Sequence, residues 1–291
     1  MLQLLMRSSV HALVLLLTLM VGTAASQDPA EGETSGESQE SVLDQLQVKM
    51  IAGIGDKAAL EKIKNRRVLS SVLIPGAGIE AKHFSYISAA GEMVESLFIE
   101  GYGDFRQGIH GDLAWSHDPI NGPAILAGAM KDQLRRGSRI FTPLYFMTDY
   151  ASATAAGEEM IGEVDCDIFI FKTKTGTEEK YWISKDVSRV IQVTLTADSP
   201  MGKIPMSMQL TDYKQVEQIW YAHTMDIQQG TQKMQMIIQD VQHDVEPKED
   251  ELTIPAQVQE LVDRKKAAKE EAEKKDEEAK EPAPEEKESD S

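Results

Sequence analysis

Apolar residues recur at helical spacing near the start of the chain. In residues 41–55, SVLDQLQVKMIAGIG, they lie three or four positions apart, which predicts an amphipathic helix whose apolar face is Leu43, Leu46, Met50, Ile51 and Ile54. Ser41, with Asp44 three residues later, is a variant of the capping box that begins a helix. A second short helix is predicted over residues 56–67, DKAALEKIKNRR, with Asp56 as its cap.

From Val68 onward the pattern changes to short runs rich in β-branched and aromatic residues. Turn-forming Gly, Pro, Asn and Asp interrupt these runs about every ten residues. Such spacing predicts an antiparallel sandwich or barrel of about ten strands, because strands that alternate with helices would be separated by longer connections. The predicted fold class is therefore mainly β with helices (α+β), and the first helix is an obvious cover for the sheet.

Several strands alternate cleanly between apolar and polar residues. In RVIQVTLTA, Ile191, Val193 and Leu195 share one face, and in KIPMSMQLTDY Met206 and Met208 share one face with Ile204 and Leu210. Six of the fourteen methionines lie within residues 201–236. Flexible thioethers suit a wall that fits variable apolar ligands, but they also fill irregular core space, and the pattern leaves both interpretations open.

One segment interrupts the strands. GAMKDQLRRGS, after Leu126, predicts a short helix that stops at Gly137, and FTPLYFMTDY holds the densest group of bulky apolar residues in the chain. In a sheet protein this segment is a candidate lid, since its side chains are costly to leave in water. Together with the alternating strands it gives the predicted ligand-binding residues: Trp115, Phe141, Leu144, Ile191, Val193, Leu195, Met206, Met208, Met225, Met234 and Met236.

The two ends of the chain differ from the body. Arg7, an apolar run over residues 12–21 and small residues up to Ser26 predict a cleaved secretory signal over residues 1–26. The run is too short to span a bilayer, so we expect an exported, periplasmic or secreted mature protein without a transmembrane segment. We expect residues 27–40 to form an acidic, disordered leader, 41–255 the folded domain, and 256–291 a charged low-complexity tail that is disordered or a solvated helix.

The net charge of -18 belongs mostly to these ends, because Lys49 to Val245 carry twenty-five acids and twenty bases. No basic run is interleaved with aromatic residues, so no nucleic-acid partner is predicted. The single cysteine, Cys166, permits no intramolecular disulfide and is expected to be a buried apolar residue.

Candidate reactive chemistry gathers only in QGIHGDLAWSHDPINGPAIL, residues 107–126. His110 and His117 are seven residues apart across a predicted hairpin turn, which is not the spacing of zinc ligands, and Asp118 precedes a proline as turn formers do. Alternation would place Trp115 on the core side. No hydrolase elbow or phosphate-binding loop is present, so we expect no enzyme, no metal and no cofactor. A hydrolase or metalloenzyme built on His110, His117 and Asp118 is the less favoured alternative.

The order of motifs resembles a known superfamily. I-P-G-A-G at residues 74–78, G-x-x-G-x-x-A-W at 108–115, P-x-x-G-P at 119–123, and T-x-D-S-P-M-G-K-I-P at 196–205 with D-Y at 212–213 are similar to the outer-membrane lipoprotein-sorting superfamily of LolA, LolB and LppX-like periplasmic carriers. The resemblance covers about residues 40–255. It implies a curved, incomplete antiparallel barrel whose concave face is covered by helices, and it carries over no catalytic residue.

The resemblance also implies a function. We expect a carrier or binding protein that holds a lipid, a lipoprotein acyl chain or another apolar ligand in the half-barrel, with a membrane-associated donor or acceptor protein as a further partner. The alternative is a non-catalytic interaction or structural module whose barrel is filled by its own side chains. Periodicity reports which face is apolar and leaves open whether that face encloses a cavity.

Overall fold

A computed structural model describes residues 39–199 and 202–278 of the chain. The predicted signal peptide, nearly all of the acidic leader and the last residues of the tail lie outside this range. The helices are α1 (Gln39–Ile54), α2 (Lys57–Lys62), α3 (Gly128–Gly137), α4 (Phe146–Asp149), α5 (Glu249–Leu252) and α6 (Ala256–Glu278). The strands are β1 (Asn65–Ile74), β2 (Ile79–Ser88), β3 (Met93–Ile99), β4 (Gly103–His110), β5 (Leu113–Asp118), β6 (Gly122–Ile125), β7 (Tyr150–Ile161), β8 (Val164–Thr173), β9 (Glu178–Ser184), β10 (Val190–Ser199), β11 (Gly202–Val216), β12 (Ile219–Gln229) and β13 (Gln232–His243).

All thirteen strands form one open antiparallel sheet in the order β6-β5-β4-β3-β2-β1-β13-β12-β11-β10-β9-β8-β7. Two meanders, β1 to β6 and β7 to β13, are joined by the pairing of β1 with β13. One cavity contacts both Glu95 on β3 and Tyr181 on β9. Those strands are seven neighbours apart, about 34 Å across a flat sheet, so the sheet must curl strongly. The prediction of a mainly β, incomplete antiparallel barrel is confirmed.

The predicted number of about ten strands is too low. Two tight turns, between β9 and β10 and between β11 and β12, contain no glycine or proline. Ser188 and Glu217 supply the left-handed conformations there, with φ of 56° and 55°. Because such conformations are usually adopted by glycine or asparagine, nothing in the sequence divided these runs into separate strands.

Both predicted N-terminal helices are present, with different boundaries. Ser41 lies inside α1, which already includes Gln39, so it does not cap the helix. Asp56 caps α2 as expected, and its side chain accepts a hydrogen bond from the Ala59 amide. However, α2 ends at Lys62, and the predicted last turn belongs to β1, which begins at Asn65.

Helix α1 covers the concave face of the sheet. Its predicted apolar residues are buried or half-buried, and Leu43, Leu46 and Met50 join the core that β1 to β4 and β7 to β13 contribute. The segment from β6 to β7, here called the crossover segment (residues 126–149), links the two edges of the sheet and contains α3, a 3₁₀ turn Thr142–Tyr145 and α4. Phe146 of α4 is fully buried in the same core. The predicted helix ending at Gly137 is confirmed.

The opposite, convex face carries its own cover. Trp115 on β5 and Val258 on α6 are both 0% exposed and pack in one cluster with Val94. A Cβ atom on Gly108, opposite Trp115 on β4, would lie 2.8 Å from the indole ring, so the ring requires a glycine there. Trp115 is therefore buried, as a residue on the core side should be, but it lies in this cluster and not in the core under α1. The packed unit also continues beyond the predicted boundary at residue 255, although the other residues of α6 up to residue 273 are half-buried or exposed.

Candidate functional site

A cavity of about 240 Å³ lies between the concave face, α1 and the crossover segment. Strands β1 to β3 line one side and β9 to β13 the other, because the curl of the sheet brings both halves to the same space. Met50 and Ile54 of α1, with Phe141 and Phe146 of the crossover segment, contribute to its cover. Most of the exposed lining is apolar, which is the usual character of a small-molecule pocket.

Five of the predicted ligand-binding residues line this cavity: Phe141, Val193, Met208, Met225 and Met236. Three others, Leu195, Met206 and Met234, are buried in the same core and do not line the cavity. The methionines therefore include both residues that face a possible ligand and residues that only fill the core, the two interpretations that the sequence left open. Met208 and Met236 reach the cavity, and Met206 and Met234 fill the core around it.

The remaining three predicted residues lie elsewhere. Leu144 is half-buried against a second core cluster with Phe141. Ile191 packs with Cys166 and Trp182 in a separate cluster, because a β-bulge between Val190 and Gln192 inserts one extra residue and shifts the alternation. Ile191 and Val193 therefore do not share the face that strict alternation assigned to them. Trp115 lies under α6.

The cover is attached to the sheet and to itself by specific polar contacts. Gln47 of α1 donates a hydrogen bond from Nε2 to the Pro143 carbonyl at 2.8 Å, which joins α1 to the crossover segment. Arg189 donates from Nε to the Gly53 carbonyl at 2.9 Å. Gly53 itself touches the turn between β9 and β10, since a Cβ atom there would lie 2.2 Å from the Ser188 carbonyl oxygen. The end of α1 thus approaches the sheet as closely as backbone allows.

A second set of contacts holds the crossover segment closed on itself. Arg139 donates from Nε and Nη2 to the two carboxylate oxygens of Asp149, at 2.9 and 2.6 Å, and its guanidinium lies 4.4 Å from the centre of the Tyr145 ring. Asp149 is largely buried. A paired, bidentate contact of this kind fixes geometry as well as adding energy.

Arg66 of β1 brings a positive charge to the cavity lining. Its guanidinium carbon lies 5.8 Å from the ring centre of Phe141 and 5.7 Å from that of Tyr221. The Tyr221 hydroxyl is 2.7 Å from Nε2 of His243, and burial raises the pKa of Tyr221 to about 12. The aromatic faces stabilise the half-buried cation by cation–π attraction.

Polar side chains also form part of the cavity wall on the β1 to β3 side. Ser70, His83, Ser85 and Glu95 line it, and all four are largely buried. Ser70 and His83 are directly opposite each other on β1 and β2, while Ser85 is opposite Glu95 on β2 and β3. Gln107 on β4 donates from Nε2 to Glu95 at 3.2 Å. We refer to these five residues as the polar niche.

His83 is the most unusual member of the polar niche. It is 5% exposed, and neither ring nitrogen has a hydrogen-bond partner; the Ser70 hydroxyl also has none. Burial lowers the pKa of His83 to about 4, because desolvation penalises the imidazolium. Near pH 7 its ring is therefore neutral, with one donor and one acceptor nitrogen.

A buried hydrogen-bonded cluster lies at the other side of the core. The hydroxyl of Tyr150 donates to Oε2 of Glu179 at 2.6 Å, and that of Tyr181 donates to the same oxygen at 3.3 Å. Burial raises the pKa of Glu179 to about 7, although the two hydroxyls and the nearby Arg136 charge oppose the shift. The pKa values of both tyrosines are raised well above their usual range by the same burial.

The histidines first considered for catalysis serve the hairpin between β4 and β5. His110 lies 3.3 Å from Glu92, and His117 pairs with Arg106 farther along the ladder. Asp118 accepts hydrogen bonds from the Ile120 and Asn121 amides, as an ordinary turn former does. Within residues 39–199 and 202–278 no three His, Cys, Asp or Glu side chains gather as a metal site requires. Cys166 is buried, and its thiol pKa is raised by burial.

Sequence reasoning missed the polar niche. Neither His83 nor Ser70 belongs to a metal-binding or catalytic motif of the sequence, so neither was a predicted site residue. A signal was present in AKHFSYI, where His83 and Ser85 share the phase of Ala81 and Ile87. Phe84 and Tyr86 give the other phase an equally apolar character, so alternation could not say which face is inside.

The fold is similar to that of several proteins of known structure. No family model and no curated protein matches the sequence. Solved structures do: a DUF1329 family protein from Desulfovibrio piger has a TM-score of 0.53 at 12% identity, covering 75% of this chain and 98% of that one. An outer membrane lipoprotein-sorting protein domain from Vibrio parahaemolyticus has 0.50 at 14%, covering 74% and 97%. A LolA superfamily protein from Nitrosomonas europaea has 0.50 at 12%, covering 73% and 97%.

These likenesses define the class of fold, which is that of the lipoprotein-sorting proteins, and they confirm the predicted resemblance at that level. Identities of this size show the fold alone. None of the helices among the described residues has the length and apolarity needed to cross a membrane.

Proposed function

We propose that the protein is an exported carrier that binds an acyl chain or a similar apolar ligand in the concave cavity. The single observation that carries the proposal is the cavity itself, because a fully packed interaction module would have none. Export rests on the signal-like pattern of residues 1–26. The fold shared with lipoprotein-sorting proteins supports the proposed carrier function.

The driving force is burial of apolar surface. Each methylene group removed from water contributes about 0.8 kcal/mol, so a few groups suffice for useful affinity. The cavity of about 240 Å³ is slightly below the roughly 300 to 1,000 Å³ of typical ligand pockets. We therefore expect it to hold one segment of a chain as it stands, and α1 and the crossover segment to move apart to admit more.

Release follows from the way the cover is held. Three side-chain hydrogen bonds between described residues join α1 to its surroundings: Gln47 to Pro143, Lys49 to Asp167 and Arg189 to Gly53. A cover held mainly by side-chain packing opens at lower cost than a strand of the sheet, whose whole hydrogen-bonded ladder would have to break. A donor or acceptor protein at the membrane would act on this cover.

The test is uptake of cis-parinaric acid, a fatty acid whose own fluorescence rises in apolar surroundings, followed by native mass spectrometry. Val193 lines the cavity, so Val193→Trp should fill it and reduce uptake at least ten-fold, whereas Val193→Ala should retain uptake. Circular dichroism must show the same strand signal for both variants. Absence of uptake by the unsubstituted protein, or equal uptake by the Trp variant, would instead favour the packed interaction module.

A further inference from the structure

The polar niche is out of place in a cavity built only for hydrocarbon. A buried polar group without a hydrogen-bond partner costs roughly 1–3 kcal/mol, and His83 and Ser70 together present three such atoms in one place. They are opposite each other on neighbouring strands, so their Cβ atoms lie about 5 Å apart. Both line the cavity. Their unused hydrogen-bonding capacity is therefore directed at whatever occupies it.

The chemistry of the niche restricts the missing partner. Neutral His83 offers one donor and one acceptor, and the Ser70 hydroxyl offers both. A fully ionised carboxylate only accepts, and it would meet the buried Glu95 side chain close by, on the strand next to β2. A group that is neutral and both donates and accepts fits all of these requirements. The hydroxyl group is the smallest such group.

We propose that the polar niche recognises a hydroxyl carried on the acyl chain of the ligand, so that the preferred cargo is a hydroxylated acyl chain. This inference rests on the proposed function, since it assigns the cargo class of the same cavity. The apolar walls hold the chain, and Ser70 and His83 hold its hydroxyl at one fixed depth. A site built to bond a hydroxyl discriminates against the analogue that lacks one, because the site's own polar groups are then left unpaired.

The experiment compares stearate with a set of monohydroxylated stearates whose hydroxyl is placed at successive chain positions. Displacement of cis-parinaric acid gives the affinity of each. We expect at least one isomer to bind roughly ten-fold more tightly than stearate, the effect of about one well-made hydrogen bond to a buried partner. Isomers with the hydroxyl at distant positions should bind no better than stearate, since that hydroxyl would be buried against apolar walls.

Three variants locate the effect. Ser70→Ala and His83→Leu should each bring the best isomer close to stearate, with little change in the affinity for stearate itself. His83→Gln keeps a donor and an acceptor and should retain part of the preference. Ser71→Ala is the matched control: Ser71 is the next residue along β1 and, by alternation, faces away from the cavity, so it should leave the preference unchanged.

The outcomes separate this inference from the proposed function. Tight binding of stearate with no preference at any hydroxyl position would support the proposed carrier function. It would overturn hydroxyl recognition by the polar niche, which would then hold only water. A preference that survives both Ser70→Ala and His83→Leu would also overturn it. No binding of any fatty acid would remove the proposed function and the inference with it.

Discussion

Val258, near the start of the charged C-terminal segment, packs with Trp115 on the convex face of the sheet, and both side chains are 0% exposed. The segment predicted to be a charged low-complexity tail therefore completes an apolar cluster on the convex face. That cluster also includes Val94, with Leu113, Leu252 and Ile254 packed around it.

The first prediction concerns this cluster. Removing residues 256–291 should lower the free energy of unfolding by roughly 2–3 kcal/mol, because it uncovers Trp115. Urea unfolding followed by tryptophan fluorescence measures the change, and the emission of the folded state should shift to longer wavelength. Removing only residues 266–291 keeps Val258 and should leave both quantities unchanged. Equal effects of the two deletions would contradict the role of Val258.

The second prediction tests the close approach of α1 to the sheet. Gly53→Ala would place a methyl group 2.2 Å from the Ser188 carbonyl oxygen, so α1 must shift. We expect a loss of about 1–3 kcal/mol, typical of overpacking, together with faster proteolysis within α1. Gly76→Ala is the control, because nothing lies within 4 Å of the added methyl and its φ is not positive. A Gly53→Ala protein as stable as the control would show that α1 is not held there.

The third prediction concerns pH. The pKa of His83 is lowered from 6.5 to about 4 in the folded protein. Between these pH values the imidazole takes up a proton in the unfolded chain and not in the folded one, so stability is lost as pH falls from 6.5 toward 4. The pKa of Glu179 is raised from 4.5 to about 7, so its contribution to stability is lost as pH rises from 4.5 toward 7. In the shared window the two effects oppose each other and largely cancel.

Single variants should reveal each effect. Between pH 4.5 and 6.5, Glu179→Gln should make stability rise with pH, and His83→Leu should make it fall, each by up to about 3 kcal/mol. Thermal unfolding across this range is the measurement. Parallel pH profiles for the two variants would mean that other groups dominate the titration.

The fourth prediction addresses the crossover segment. Asp149→Asn removes the charge from the bidentate contact with Arg139 and leaves a half-buried cation without its partner. Amide hydrogen exchange across residues 138–149 should become faster by about ten-fold or more. Asp112→Asn breaks a contact with Lys131 whose carboxylate is 93% exposed, and it should change exchange very little. If both variants behave alike, the Arg139 contact does not hold the segment closed.

Much of the architecture could be read from local patterns. The apolar spacing of α1 identified the face that docks, and alternation placed Met206 and Met208 inside, because these elements bury one side only. The hairpin of β4 and β5 was recognisable from its turn residues, and its register sets His110 opposite Leu113 and His117 opposite Arg106. In each case the information lies within a few neighbouring residues.

The sequence by itself determined the class of fold and most of the apolar residues that form its core, since helix and strand periods are local properties of the chain. Tertiary structure alone decided the rest. The bulge that turns Ile191 away from Val193 depends on pairing with β9, and the face chosen by Trp115 depends on α6, more than a hundred residues later. The polar niche arises because antiparallel pairing sets Ser70 opposite His83 in a curled sheet, and period alone cannot say what lies opposite.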